Sequence, residues 1–177
     1  MIGLQRGIVK LVPYDPHWAH LFAQEKTTLQ NVLNEYAPTI EHIGSTAIPS
    51  IVAKPVIDIA VGIKGMNQVE KVKNTLEKND WIWRPKFGDI QNHIVFAKGN
   101  NEERTHYLHL MEYGGKIWNE KILFRDYLIS HEQERLEYEK IKLQAMEKHG
   151  DDRKVYTAQK DLFVENILKI ANSLRLN

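Results

Sequence analysis

The chain has 177 residues, 24 lysines and arginines against 23 aspartates and glutamates, and no cysteine. A chain of this length fits one domain that buries roughly 70% of its unfolded surface; the absence of cysteine excludes disulfides, thiolate metal sites and a cysteine nucleophile. A net charge of +1 gives no global pull toward nucleic acid, so any anion site must be local.

The first residues carry charge early, and no stretch approaches the roughly 18 apolar residues of a membrane span. These features predict a soluble, cytoplasmic protein with no membrane partner and no nucleic-acid partner. Residues 9–12 read as a short strand or an extended lead-in. Asp15-Pro16 reads as a helix start, with Asp as N-cap and Pro at the first helical position. Trp18, Leu21, Phe22, Leu29, Val32 and Leu33 recur at helical spacing, and the helix should stop before Pro38. A short strand over 40–43 then ends in Gly44-Ser45. A loop closed by Lys54-Pro55 leads to a β-branched strand over 56–61 that carries one charge, Asp58.

Asn67 with Glu70 resembles a capping box before a helix with Val69, Val72 and Leu76 on one face. Residues 81–83 read as a strand with Trp81 and Trp83 as core, and residues 85–92 as a loop. Residues 94–96 and 107–111 read as paired strands across a turn at 98–103. From Lys116 the pattern is helical: one helix over 117–129 and a second reset by a Ser130–Gln133 capping box and ended at Gly150. A third starts at Asp151-Asp152, with Phe163, Ile167, Ile170, Ala171 and Leu174 on one face. The charges between Glu132 and Lys148 read as a solvated face.

Chemistry is expected around residues 40–63. Gly44 permits positive φ and close backbone approach, and Ser45 opens a segment whose N–H groups can cradle phosphate. A carboxylate inside an apolar strand is costly unless paired or metal-bound, which singles out Asp58. Lys54 stands at the mouth of that strand. Arg84, Arg104, Arg125 and Lys160 are the other local cations; Arg125 reads either as an ion-pair partner of Asp126 or as a phosphate contact. Tyr156 and Lys160 share a helix face, as a base-stacking and phosphate pair or as a surface pair. His106 and His109 lie three apart, so on a regular strand they point to opposite faces. With His42 they would suit zinc, manganese or an iron-type ion if a bulge brought them together.

A Gly-Ser turn followed thirteen residues later by an acid on an apolar strand resembles the nucleotidyltransferase superfamily. There the turn holds a triphosphate and strand carboxylates hold Mg²⁺. The resemblance is closer to one family. His42-Ile43-Gly44-Ser45-Thr46-Ala47-Ile48-Pro49, then Ala53-Lys54-Pro55-Val56-Ile57-Asp58-Ile59, is similar to the signature of the GrpB family. Tyr14-Asp15-Pro16 with Trp18, Arg104-Thr105-His106-Tyr107-Leu108-His109-Leu110, Leu123-Phe124-Arg125-Asp126-Tyr127-Leu128, Tyr156 and Lys160 agree with it. The family is similar in fold to nucleotidyltransferases, is described as predicted nucleotidyltransferases of unknown substrate, and also occurs fused to dephospho-coenzyme A kinase.

The resemblance implies an α+β fold, with a small mixed sheet, flanking helices and a helical C-terminal part. One domain would span 1–177, divided into a core over 1–115 and helices over 116–177. It implies metal-dependent nucleotidyl or phosphoryl transfer from a nucleoside triphosphate to a small acceptor. Asp58 would hold Mg²⁺; Gly44, Ser45 and Thr46 would hold phosphate; Lys54, Arg104, Arg125 or Lys160 would balance charge. The superfamily's second strand acid is replaced by Ala60, on the face of Asp58. Glu41, Asp89 and Glu112 are the candidate substitutes. Two alternatives follow: an inactive nucleotide-binding module, and a hydrolase or binder whose His42, His106 and His109 hold Zn²⁺ or Mn²⁺.

Overall fold

The computed structural model describes residues 2–5, 8–36, 38–85, 92–100, 102–150 and 152–175. Asp89 and Asp151 lie outside the described residues. The strands are β1 (Leu4–Gln5), β2 (Thr39–Ile43), β3 (Ile57–Ile63), β4 (Ile82–Trp83), β5 (His93–Gly99) and β6 (Glu103–Glu112). The helices are α1 (His17–Val32), α2 (Val69–Glu77), α3 (Lys116–Ser130), α4 (Glu132–His149) and α5 (Arg153–Arg175). The fold is α+β, with a mixed sheet in the order β2-β3-β6-β5-β4 and β1 added to β6. Only β3 and β6 are parallel; the other named pairs are antiparallel.

Alternation along β3 divides the sheet into two unlike faces. Ile57, Ile59, Val61 and Ile63 point to one, where Ile40, Phe96, Leu108 and Leu110 join Trp18, Leu29 and Leu33 of the α1 region and Val72 and Leu76 of α2. This is the main core, and its residues are nearly solvent-free. Asp58, Ala60 and Gly62 point to the other face. There Ala60 packs with Ile43, Met111 and Trp118. A Cβ on Gly62 would stand 2.8 Å from the Trp118 ring, so glycine is what lets α3 lie against β3.

The helical part is fastened to the sheet by the loop between β2 and β3. Ile48 and Ile51 insert among Leu123, Tyr127, Leu128, Tyr138, Phe163 and Ile167. Between them and β3, α4 grips the backbone of one residue, Val52, at both its N–H and its carbonyl. Val52 N–H donates to Glu139 Oε1 at 2.6 Å, and the Lys142 amine donates to the Val52 carbonyl. Burial pulls the Lys142 amine down to about 7, helped by repulsion from Lys160 and opposed by Glu139.

Several local expectations are corrected. Neither proposed capping box forms: the cap of α2 is Gln68 and that of α4 is His131, without side-chain cap bonds. Ser130 Oγ instead donates back to the Asp126 and Tyr127 carbonyls, an alternative always open to a serine in the last turn of a helix. On α5, Phe163, Ile167 and Ala171 are buried, but Ile170 and Leu174 face solvent. Trp81 is core at 2% exposure, whereas Trp83 is 36% exposed beneath the Lys73 amine. The expected N-terminal strand reduces to a bridge of Val12 to Ala53, and the two-residue β1 precedes it.

The Gly62–Trp118 contact yields a test of this packing. Gly62→Val should destabilise the fold by about 1–3 kcal/mol, the usual cost of overpacking. Chemical denaturation checks it, with Trp118→Ala in the same background expected to recover part of the loss.

Candidate functional site

The site lies on the second face of the sheet, where α3 and α5 leave a cleft. Gly44 ends β2 with φ of 71°, a conformation that favours glycine. A Cβ there would stand 2.5 Å from Asp58 Oδ2. The turn and the acid are therefore in direct apposition. Ser45 is half-buried and opens a 3₁₀ turn, Ser45–Ala47, whose carbonyl accepts from Ile48 N–H at 3.2 Å.

Two cavities share Asp58, Thr157 and Lys160 in their walls. The smaller, about 190 Å³, adds Lys54, Arg104 and Tyr107. The larger, about 460 Å³, adds Gly44, His109, Glu120, Lys121 and Phe124. Three of the expected cations, Lys54, Arg104 and Lys160, thus converge beside Asp58. The amines of Lys54 and Lys160 stand 4.0 and 4.6 Å from the centre of the Tyr156 ring. Tyr156 is 1% exposed, so it is a buried platform for the two lysines and not a surface for a base.

Asp58 keeps 32% of its side-chain surface open while protein surrounds the rest. Burial opposes its charge, but the His109 hydrogen bond and the nearby His109, Lys121 and His42 outweigh that and hold its carboxyl below the usual carboxylate range. His109 Nε2 lies 3.5 Å from Asp58 Oδ1, and His109 Nδ1 lies 2.9 Å from His93 Nε2, with the imidazoles stacked. Burial lowers both histidines and Lys121 adds repulsion; His93 falls to about 3. An ionised Asp58 only accepts, so His109 Nε2 carries the proton. His109 Nδ1 is then the acceptor, and His93 Nε2–H donates to it. Both nitrogens of His109 are engaged, which leaves neither for a metal.

The three-histidine metal site does not assemble. His42 and His106 point to the main-core face, opposite His109, as regular alternation requires. His42 stacks on Phe22 at 4.7 Å, and burial lowers it to about 4. His106 lies edge-on to Trp81, and its Nδ1 is 3.0 Å from Thr105 Oγ1. Thr46 is also committed elsewhere. It is 2% exposed, accepts from His42 Nε2 at 3.0 Å and donates to the Val56 carbonyl at 3.4 Å, so its hydroxyl faces no ligand.

Arg125 is a structural cation. It donates to Glu41 Oε2 and Asp126 Oδ1, both at 2.8 Å, and to the His42 carbonyl at 2.7 Å. Burial works against its charge, but the bonds to Asp126 and Glu41 hold it above the ordinary arginine value. Glu41 is thereby occupied. Glu112 sits opposite Ile63, at the far end of β3 and on the other face. The remaining acid in the larger cavity is Glu120, whose Oε1 is 3.8 Å from Lys116 Nζ.

Magnesium asks for near-octahedral oxygen ligands. Here the larger cavity holds two carboxylates, Asp58, half engaged by an imidazole, and Glu120, turned toward Lys116, with Lys121 in the same wall. Among the described residues no group of three or more His, Asp or Glu stands ready for a metal ion. That donor set does not fit a dedicated magnesium site.

Reasoning from sequence missed Lys121, His93 and Thr157. Lys121 lies three residues after Trp118 and four before Arg125, so one helical face of α3 presents all three to the sheet. That spacing was a usable signal. His93 was harder to place, because an irregularity at Lys98/Gly99 shifts the register that brings it diagonal to His109.

A profile described as GrpB protein matches residues 8–170. The chain belongs to the GrpB family. It is 40% identical to the glutamate-rich protein GrpB of Alkalihalophilus pseudofirmus over 95% of this chain and 98% of that one. It is 33% identical to the protein YqkA of Bacillus subtilis, over 89% of this chain but 45% of the relative. A crystal structure of the conserved protein GrpB from Enterococcus faecalis superposes with a TM-score of 0.85 at 27% identity, covering 95% of this chain and all of that one. A dephospho-CoA kinase of Mycolicibacterium paratuberculosis is 23% identical over 89% of this chain and 44% of its own length. No helix among the described residues is long and apolar enough to cross a membrane.

Two outcomes test this geometry. Ala60 is fully buried, so Ala60→Asp should destabilise the fold by about 3–5 kcal/mol, as an unpaired buried charge does. It should create no Mg²⁺ affinity; thermal denaturation with and without Mg²⁺ reads both. His42 and His93 have folded values lowered to about 4 and about 3, from 6.5. Below pH 6.5 the unfolded chain therefore binds protons that the folded chain does not, and stability falls as pH drops toward 4. Removing one of these histidines, as in His93→Gln, should flatten that slope by up to about 1.4 kcal/mol per pH unit, measured by denaturant titration across the range.

Proposed function

We propose that this cleft binds a nucleoside triphosphate or a similar phosphate-bearing molecule and transfers its nucleotidyl or phosphoryl group to a small acceptor. The observation that carries the reading is the convergence of Lys54, Arg104 and Lys160 with Asp58 around two cavities that share Asp58, Thr157 and Lys160, with Gly44 in the wall of the larger. Lys54, Arg104, Lys121 and Lys160 line the two cavities against the acids Asp58 and Glu120, an excess of positive charge that favours an anion. Membership of the GrpB family, with its resemblance to nucleotidyltransferases, supports the same class of chemistry.

In this reading the phosphate chain lies along Lys54, Lys160 and Arg104, with the Ser45 turn at its side. The acceptor hydroxyl attacks phosphorus and its proton passes to Asp58 Oδ2, the oxygen next to Gly44. The bond to the leaving group breaks, pyrophosphate when the nucleotidyl group moves and nucleoside diphosphate when the phosphoryl group moves, and its negative charge stays with the cations. His109 cannot serve as the base itself, because its Nε2 proton points at Asp58 and its Nδ1 faces His93.

A second reading, an inactive nucleotide-binding module, is favoured by one observation. Ala60, at the place of the superfamily's second acid, is sealed beneath Trp118 and Met111. The two readings separate on turnover. Calorimetric titration with a panel of nucleoside triphosphates should show binding, and Lys160→Ala should weaken it by about 1.5–3 kcal/mol, the worth of a charged hydrogen bond. Asp58→Asn should retain that binding while abolishing transfer to an acceptor. Binding without any turnover in the native protein would favour the module, and no binding at all would overturn both.

A further inference from the structure

The charge that phosphoryl chemistry usually draws from a divalent cation has another source in this cleft. Helix α3 is held against the sheet at two points about two turns apart, and Lys121 lies between them. Trp118 meets Gly62, Lys121 lines the cavity of Asp58 and His109, and Arg125 binds Glu41 and the His42 carbonyl. The contacts on either side of Lys121 fix its backbone, so its amine is delivered to the cleft by the fold. Its nearest acidic influences are Asp58 and Glu120; His109, His93 and Lys160 face the same space. A metal ion placed between Asp58 and a bound phosphate would add its charge beside the amines of Lys121 and Lys160, which line the same cavity.

We infer that the Lys121 ammonium, set against Asp58 and His109 in the larger cavity, takes the place a divalent cation would hold, so that the cleft accepts an uncomplexed phosphate-bearing anion. The inference rests on the phosphate-cleft reading above and names the ionic form of its ligand. Lys121 shares the cavity wall with Asp58 without bonding to it, and the amine offers its N–H donors to a phosphate oxygen. Burial lowers the Lys121 amine below the ordinary lysine value, with Asp58 and Glu120 working the other way, and an arriving anion favours the charged form it meets.

Titration calorimetry with ATP and with inorganic triphosphate tests this, each in excess EDTA and in Mg²⁺. The expected result is binding in EDTA within about twofold of that in Mg²⁺. Lys121→Met should lose about tenfold or more in EDTA, and Lys121→Arg, which keeps the charge, should retain most of the affinity. Circular dichroism of both variants confirms their fold, and the arginine variant keeps the test valid if the methionine variant does not fold. Binding that requires Mg²⁺, or that Lys121→Met leaves unchanged, overturns the inference and leaves the phosphate cleft standing. Failure of both anions to bind in either buffer overturns the cleft reading itself, and the inference with it.

Discussion

An ionised carboxylate sits on a sheet face that helices largely cover, and much of the molecule is arranged to tolerate it. The residues directly opposite Asp58 on the neighbouring strands, Ile43 and Tyr107, bring no opposite charge. Its compensation comes from His109, two residues farther along β6, from Lys121 on α3, and from the open side of the cleft. Sealing such a charge without partners would cost several kcal/mol. The protein instead leaves a third of the side chain exposed and surrounds the opening with cations.

That constraint explains why the sheet faces differ so sharply. The α1 and α2 face is continuous aliphatic and aromatic packing, with Ile57, Ile59, Val61 and Ile63 fully buried. The other face is covered over one half only. Trp118 closes it at Gly62 and Ala60, whereas α5 stands across from Asp58 and contributes Thr157 and Lys160. The cleft is the uncovered half. The loop that follows Gly44, itself in the cleft wall, is fixed in place because Ile48 and Ile51 are anchored in the helical part and Val52 is gripped by Glu139 and Lys142. A site made of sheet and loop thus depends on helices more than eighty residues away in the chain.

Two residues of the matched signature, Thr46 and His42, prove to be scaffold. They bond to each other and to Val56, holding the Gly-Ser turn at the end of β3. Arg125 does the same for α3 by capturing Glu41 and a β2 carbonyl. Residues of a motif that touch no cavity can still set where the cavity falls, through hydrogen bonds that fix a turn against a strand.

The sequence by itself determined the fold class and most of its elements. Apolar periodicity marks α1, α3 and α5, a β-branched run marks β3, and short apolar stretches mark β5 and β6, because these patterns follow directly from helix and strand geometry. It also singled out Asp58 and Gly44, since a charge in an apolar strand and a glycine ending another are anomalies visible without coordinates. Strand alternation was likewise readable, and it separates His106 from His109 and puts Ala60 beside Asp58. Only the tertiary structure decided which cations reach Asp58. Lys54, Arg104 and Lys160 come from a loop, a strand and a distant helix, and nothing local distinguishes them from Arg125, whose guanidinium is spent on Glu41. It also decided the Asp58–His109–His93 chain, because strand order and a register irregularity set which histidines meet. Periodicity reports which side of an element is buried. Which elements face one another is settled by long-range packing, and the chemistry of this cleft is made of such encounters.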